Sequence, residues 1–175
     1  LRDLALDGTK LSAAPSVATH DAAAPRIAMM HTWLATQTEG WWRYAFDTAG
    51  IPFDYISTQT AAKQDDLRSQ YDVIIFGPGS GNAQSVIQGL PMWRNPMPWK
   101  HSAETPNIGT WAETDDIRPG LGYQGVEHLQ QFVRQGGVFI GTNSSADFAI
   151  SLGMTNGVSA SPARSKVVGS LLRTH

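Results

Sequence analysis

Cysteine is absent from the 175 residues. Its absence removes disulfides, thiolate metal ligands and cysteine nucleophiles together. The compartment stays open, since an exported protein can do without disulfides. Charge is sparse as well: 13 Lys and Arg stand against 15 Asp and Glu, net −2, and charged residues make up 16%. No basic stripe is present, so the electrostatic footprint of a nucleic-acid or anionic-membrane binder is missing. No run of about 18 apolar residues occurs, so no helical membrane span is expected. The HExxH motif is also missing, and no metal site or cofactor is expected within the chain.

What is there suits one globular domain. Hydrophobic residues make up 41%, and a chain of this length buries roughly 70% of its unfolded surface, enough for a core without staples. Residues 1–25 are rich in Ala, Ser, Thr and Pro without a period and read as a linker or N-terminal arm. Residues 26–175 read as the folded unit. The start at Leu1-Arg2-Asp3-Leu4 and the apolar run at Leu171-Leu172 give the expectation of a fragment cut from a longer chain.

Four apolar runs are expected as strands, near 27–31, 53–57, 72–77 and 137–142. The clearest is Tyr71-Asp72-Val73-Ile74-Ile75-Phe76, closed by Gly77-Pro78-Gly79. Strands this apolar are usually covered on both faces, as in parallel sheets, so Ile74 and Ile140 are both expected in the core. Between them lie helical patterns. Trp41 to Ala49 is read as a helix capped by Thr38, with Trp41, Ala45 and Ala49 on one stripe and Gly50 as its stop. Thr60 to Gln70 reads as a weak polar helix, Gly122 to Gln135 as an amphipathic one, and Ser144 to Leu152 as a short one capped by Ser144 or Asn143. Strand and helix alternate, which predicts an α/β domain with right-handed crossovers. Residues 77–120 carry many Gly, Pro and Trp without a period and read as a long binding loop or lid. Its tryptophans, Trp93, Trp99 and Trp111, are expected to pack inward or on a neighbouring domain.

In a doubly wound sheet, ligands gather at the carboxyl ends of the strands. That rule gathers His31 and Trp33 after the first strand, Gly79 and Ser80 after the third, and Asn143 and Ser144 after the fourth, as candidate ligand-binding residues. Gly77 to Gly81 could form an anion nest, but no Lys-Ser or Lys-Thr pair follows to complete a P-loop. Gly141-Thr142-Asn143-Ser144-Ser145 sits where a nucleophile elbow would be, yet the G-x-S-x-G pattern is absent. No residue is therefore assigned as catalytic or as a metal ligand.

Several of these segments resemble one family. Arg26-Ile27-Ala28-Met29-Met30, Trp33 and the helix start Glu39-Gly40-Trp41-Trp42-Arg43-Tyr44 carry the resemblance, with Tyr71 to Phe76 and Gly136-Gly137-Val138-Phe139-Ile140. They are similar to an accessory domain C-terminal to the catalytic domain of large bacterial zinc carboxypeptidases of the carboxypeptidase A type. The resemblance spans roughly residues 26–172. It implies a three-layer, flavodoxin-like fold of the class I glutamine amidotransferase kind, a parallel sheet with helices on both faces. It also implies an exported parent, secreted or periplasmic, that trims peptides with zinc held only in its catalytic domain. The upstream peptidase domain, or a second copy of the chain, is then the expected partner. Amidotransferases place a catalytic Cys at the elbow, and here that turn is Thr142-Asn143-Ser144, so no catalytic residue carries across. The expected function is a non-catalytic accessory domain. Two other readings stay open: a stand-alone hydrolase using Ser144 or His31, and a sugar or small-molecule module built on the loop tryptophans.

Overall fold

The four apolar runs have nothing to satisfy their backbone groups except one another, and in the computed structural model they pair as one sheet. The structure describes residues 9–13, 15–18, 23–79 and 81–159. Strands β1 (Ile27–His31), β2 (Asp54–Ser57), β3 (Val73–Phe76) and β4 (Val138–Gly141) are joined by α1 (Gln37–Ala49), α2 (Thr58–Lys63), α3 (Leu67–Gln70), α4 (Ala83–Gln88) and α5 (Gly122–Arg134). Helix α6 (Ser144–Ser151) follows β4. All three strand pairings are parallel, in the order β2-β1-β3-β4. This is an α/β domain with an all-parallel sheet, consistent with a flavodoxin-like fold. The described part of the expected arm is exposed and holds neither helix nor strand, whereas Leu171 and Leu172 fall outside the described residues.

Register decides the two faces. Met30 lies beside Ile56 and Phe76, and Ile74 beside Ala28 and Phe139, so these side chains share one face. They form the core with Ala61 of α2, Leu67 of α3, Val86 of α4, Leu129 and Phe132 of α5 and Phe148 of α6. Phe148 meets Phe76 at 5.4 Å between ring centroids, close to edge-on. The opposite face carries Met29, His31, Tyr55, Ile75, Val138 and Ile140. Among the described residues it is α1 that lies there, through Tyr55 bonded to Glu39 and Phe46 edge-on to Phe53.

That one-helix cover corrects one expectation. Ile74 is fully buried, but Ile140 is 39% exposed and Val138 52% exposed. β4 is an edge strand whose outer face α1 does not reach, so its apolar character does not report burial on both sides. On α1, Trp41 is 71% exposed while Glu39 is buried. The helix therefore turns its Glu39 side inward rather than the Trp41, Ala45 and Ala49 stripe. Period sets the angle between residues but not which side faces the protein.

Local chemistry explains the remaining boundaries. Helix α1 begins at Gln37 after Thr36, so Thr38 lies inside the first turn and caps nothing. Its end is as expected: Gly50 takes the left-handed conformation (φ 65°) and donates its N–H back to α1. The single weak helix expected over Thr60 to Gln70 is two helices. Ser57 caps α2 by accepting from the Thr60 N–H at 3.0 Å, and Asp66 caps α3 by accepting from the Ser69 N–H at 3.1 Å. Within 77–120 a short helix, α4, is held by the Asn82 side chain accepting from the Ser85 N–H at 2.8 Å.

Truncating Ile74 to Ala should cost about 2–5 kcal/mol in urea unfolding, whereas Ile140→Ala should cost under about 1 kcal/mol.

Candidate functional site

β1 ends on His31, which is 2% exposed. Its ring stacks on Tyr55 with centroids 4.0 Å apart and planes 7° apart. Trp33, two residues on, stands edge-on to His31 at 4.9 Å. Helix α1 supplies Arg43, whose Cζ lies 4.3 Å from the Tyr55 ring centroid. A stacked imidazole and a guanidinium can both sit this close to one ring only on opposite faces. The Arg43 Cζ also lies 4.2 Å from the Trp111 ring centroid. His31, Tyr55, Arg43 and Trp111 form a contiguous cluster in which the Arg43 cation contacts two aromatic rings. Glu39, one turn before Arg43, accepts from the Tyr55 hydroxyl at 2.9 Å and fixes the ring in place.

Burial dominates the electrostatics. It lowers the His31 pKa to about 4, and Arg43 nearby adds to the effect. At neutral pH the imidazole is uncharged. Burial likewise raises the Glu39 carboxyl, against the Tyr55 hydrogen bond and Arg43, and it raises the Tyr55 hydroxyl, helped by Glu39. His31 Nδ1 lies 3.3 Å from the Thr32 carbonyl. A carbonyl only accepts, so Nδ1 carries the proton and Nε2 presents a lone pair. Buried atoms without a partner cluster here: His31 Nε2, Trp33 Nε1, Arg43 Nε and Glu39 Oε1. Such orphans are rare in folded proteins and call for an explanation. His31, Trp33, Arg43 and Tyr55 line a cavity of about 260 Å³, closed on its far side by Trp99 and residues 107–112.

The far wall belongs to the long loop, which is pinned rather than loose. Arg118 Nε donates to Asp116 Oδ1 at 2.8 Å, and its Nη1 donates to the carbonyls of Trp93 and Arg94. Asp116 is held well below the ordinary carboxylate range by that guanidinium. Gln59 of α2 donates to the carbonyls of Asp116 and Pro119, tying the loop to the helix layer. Trp99 and Thr114 exchange backbone hydrogen bonds of 2.9 and 3.0 Å, making the short antiparallel bridge that carries Trp111 toward Arg43. At the neck of the loop Gly120 passes so close to α4 that a Cβ would meet backbone atoms of Gly89, Ile87 and Val86 at 2.5–2.6 Å. Of the two arrangements expected for the loop tryptophans, inward packing is not what Trp93 and Trp111 show, at 61% and 62% exposed. Trp111 uses one face on Arg43 and leaves the rest to solvent.

The six candidate residues part company. His31 and Trp33 share the cavity. Gly79 is exposed beside the start of α1, in the left-handed conformation at φ 86°. Ser80 lies outside the described residues. Asn143 stands exposed at the β4–α6 turn with φ 55° and ψ −127°, a conformation few non-glycine residues adopt. Ser144 does not cap α6. It lines a second cleft with Gly81, Asn82, Ala83, Gln84, Asp147 and Ser151. The hydroxyl that ties the turn is that of Ser145, which accepts from the Thr142 N–H at 2.7 Å and lies 2.6 Å from the Phe76 carbonyl. The His-x-x-Glu spacing at His101 and Glu104 falls on the exposed loop, where Glu104 accepts from the Ser102 hydroxyl at 2.9 Å. Among the described residues no group of three His, Asp or Glu is placed to hold a metal, and no helix is long and apolar enough to cross a membrane. The sequence reading missed Arg43 and Tyr55 as site residues, and named Trp111 only as one of the loop tryptophans of a sugar or small-molecule module. The available signal was the Glu39-to-Arg43 spacing of one helical turn.

Unfolded, His31 protonates near 6.5; folded, only near 4. The unfolded state takes the proton first, so stability is full above pH 6.5 and falls on acidification toward pH 4. The raised Glu39 acts in the opposite sense. In urea unfolding, the wild type should lose up to about 3 kcal/mol more than His31→Gln over that window. A second test concerns the loop. Asp116→Ala should make residues 90–117 about tenfold more susceptible to limited proteolysis while the sheet stays protected.

No protein-family model, curated protein or solved structure matches this chain.

Proposed function

We propose that this chain is a non-catalytic, amidotransferase-like accessory domain of an exported bacterial zinc carboxypeptidase, working beside its upstream peptidase domain. The observation that carries the reading is the β4–α6 turn. Its tip has the sharp, strained strand-to-helix geometry that α/β enzymes use to present a nucleophile, and the residue at the tip is Asn143. An amide cannot serve as a useful nucleophile. The strained turn without a nucleophile fits an amidotransferase-like elbow that no longer does chemistry.

The neighbouring hydroxyls do not replace it. Ser145 is fully buried, and its Oγ is taken up by Thr142 and Phe76. Ser144 faces a cleft in which, among the described residues, Asp147 is the one titratable lining residue. A serine needs an oriented base, usually His, to lose its proton in attack. His31 lines a different cavity, with its Nδ1 proton directed to Thr32 and its ring locked on Tyr55. Among the described residues, neither Ser144 nor Ser145 is paired with a histidine base. The order β2-β1-β3-β4, the helices on both faces and the Glu39-Gly40-Trp41-Trp42-Arg43 start all support the accessory-domain reading.

The purified chain should show no glutaminase, esterase or peptidase turnover, and a fluorophosphonate probe should leave Ser144 unlabelled. Stoichiometric labelling lost in Ser144→Ala would overturn the proposal. Ser145→Ala should cost about 1–3 kcal/mol because it strips the turn of its internal hydrogen bonds, while Ser144→Ala should change stability by less than about 0.5 kcal/mol.

A further inference from the structure

The cavity beside the stack is lined by residues whose polar atoms are buried without a partner. The Arg43 guanidinium carbon lies 4.3 Å from the Tyr55 ring centroid and 4.2 Å from that of Trp111. The Nε–H of Arg43 is buried and unpartnered, and among the described residues Arg43 makes no salt bridge. The Trp33 indole N–H is a second buried donor without an acceptor. Both groups can only donate. His31 Nε2 is the complement, a buried lone pair without a donor. His31 is 2% exposed and lines the cavity with the other two.

We propose that this cavity binds a small carboxylate that carries an N–H or O–H donor on its α-carbon, the grouping of a free amino acid and of a peptide's C-terminal residue. The planar carboxylate accepts from Arg43 Nε–H, in the side-on fork for which guanidinium is suited. The Trp33 N–H donates to the same group, and the α-substituent donates to His31 Nε2. A phosphate fits less well, because it brings only acceptors and would face the imidazole lone pair. A space of about 260 Å³ admits one residue rather than an extended peptide. The apolar remainder of the ligand packs on Trp99 and Ile108, which complete the lining. The proposal rests on the accessory-domain reading only for the origin of the ligand, since substrate ends and released products of a carboxypeptidase both carry this grouping.

Calorimetric titration of the full 175-residue chain, with tryptophan fluorescence as a second readout, tests it against four compounds. L-phenylalanine represents a released amino acid and N-acetyl-L-phenylalanine a peptide end. L-phenylalaninamide lacks the carboxylate, and 3-phenylpropanoate lacks the donor. At least one of the first two should bind, and whichever binds more tightly names the source. The amide and the propanoate should each be weaker by about tenfold or more, the worth of one charge-assisted or buried hydrogen bond. Arg43→Lys, which keeps the charge but loses the fork, and Trp33→Phe, which keeps the ring but loses the N–H, should each weaken binding by about tenfold. Ser144→Ala should leave it unchanged. Equal binding of acid and amide, an unaffected Arg43→Lys variant, or no binding of either acid up to about 10 mM would overturn the proposal. So would binding of glucose in place of the acids, which would make the cavity a sugar site. A failure here together with absent turnover leaves the non-catalytic reading standing. Labelling of Ser144 sinks that reading and leaves the ligand site untouched.

Discussion

A parallel sheet leaves no polar face to water, so each side must find a cover, and here the two sides are covered unequally. Five helices, α2 to α6, pack on the face of Met30, Ile74 and Phe76. The other face has α1, a helix too polar to act as a simple lid, with Glu39 as its buried residue. Such a helix seats itself by giving that carboxyl a partner, and Tyr55 of β2 donates to one of its two oxygens. The hydrogen bond sets the roll of α1, and the roll brings Arg43 over the Tyr55 ring. The rest of the site follows from that one placement: His31 fills the far side of the ring, and Trp111 meets the guanidinium.

The same asymmetry leaves β4 half bare. Val138 and Ile140 point to the side of α1, beyond its reach, and remain in contact with solvent. Edge strands with exposed apolar side chains are a liability in an isolated domain. An accessory domain packed beside its own peptidase domain would have a use for such a face, which agrees with the function proposed above.

Two strand ends of the sheet carry different devices. At the end of β1, neutral His31, Arg43 and the Trp33 indole present donors and one lone pair with no internal partners. At the end of β4, a strained turn presents an amide, with the Ser145 hydroxyl bound into the turn and Thr142 Oγ1 buried without a partner. The placement of Trp111 against Arg43 depends on the loop over 90–117, which the Arg118–Asp116 pair, the Gln59 ties and the Trp99–Thr114 bridge hold in place.

Much of the fold was legible in the chain. Continuous β-branched runs such as Val73-Ile74-Ile75-Phe76, closed by Gly77-Pro78-Gly79, can hardly be anything but buried strands. Gly50 and Gly136 mark helix ends because their backbones need φ values that side chains disfavour. The strand-end rule alone was enough to single out His31 and Trp33. The local pattern could not say which side of α1 faces inward, because a Trp stripe and a Glu–Arg stripe are both helical repeats. Only the position of Tyr55 across the sheet chooses between them. Nor could it show that Ile140 lies on an edge, since burial of a strand depends on which helices reach it. The partnership of Arg43 with Trp111, 68 residues away, belongs to tertiary structure alone. It exists because Arg118, Asp116 and Gln59 fold a loop without periodicity back over the sheet, and contacts of that range leave no local trace in the sequence.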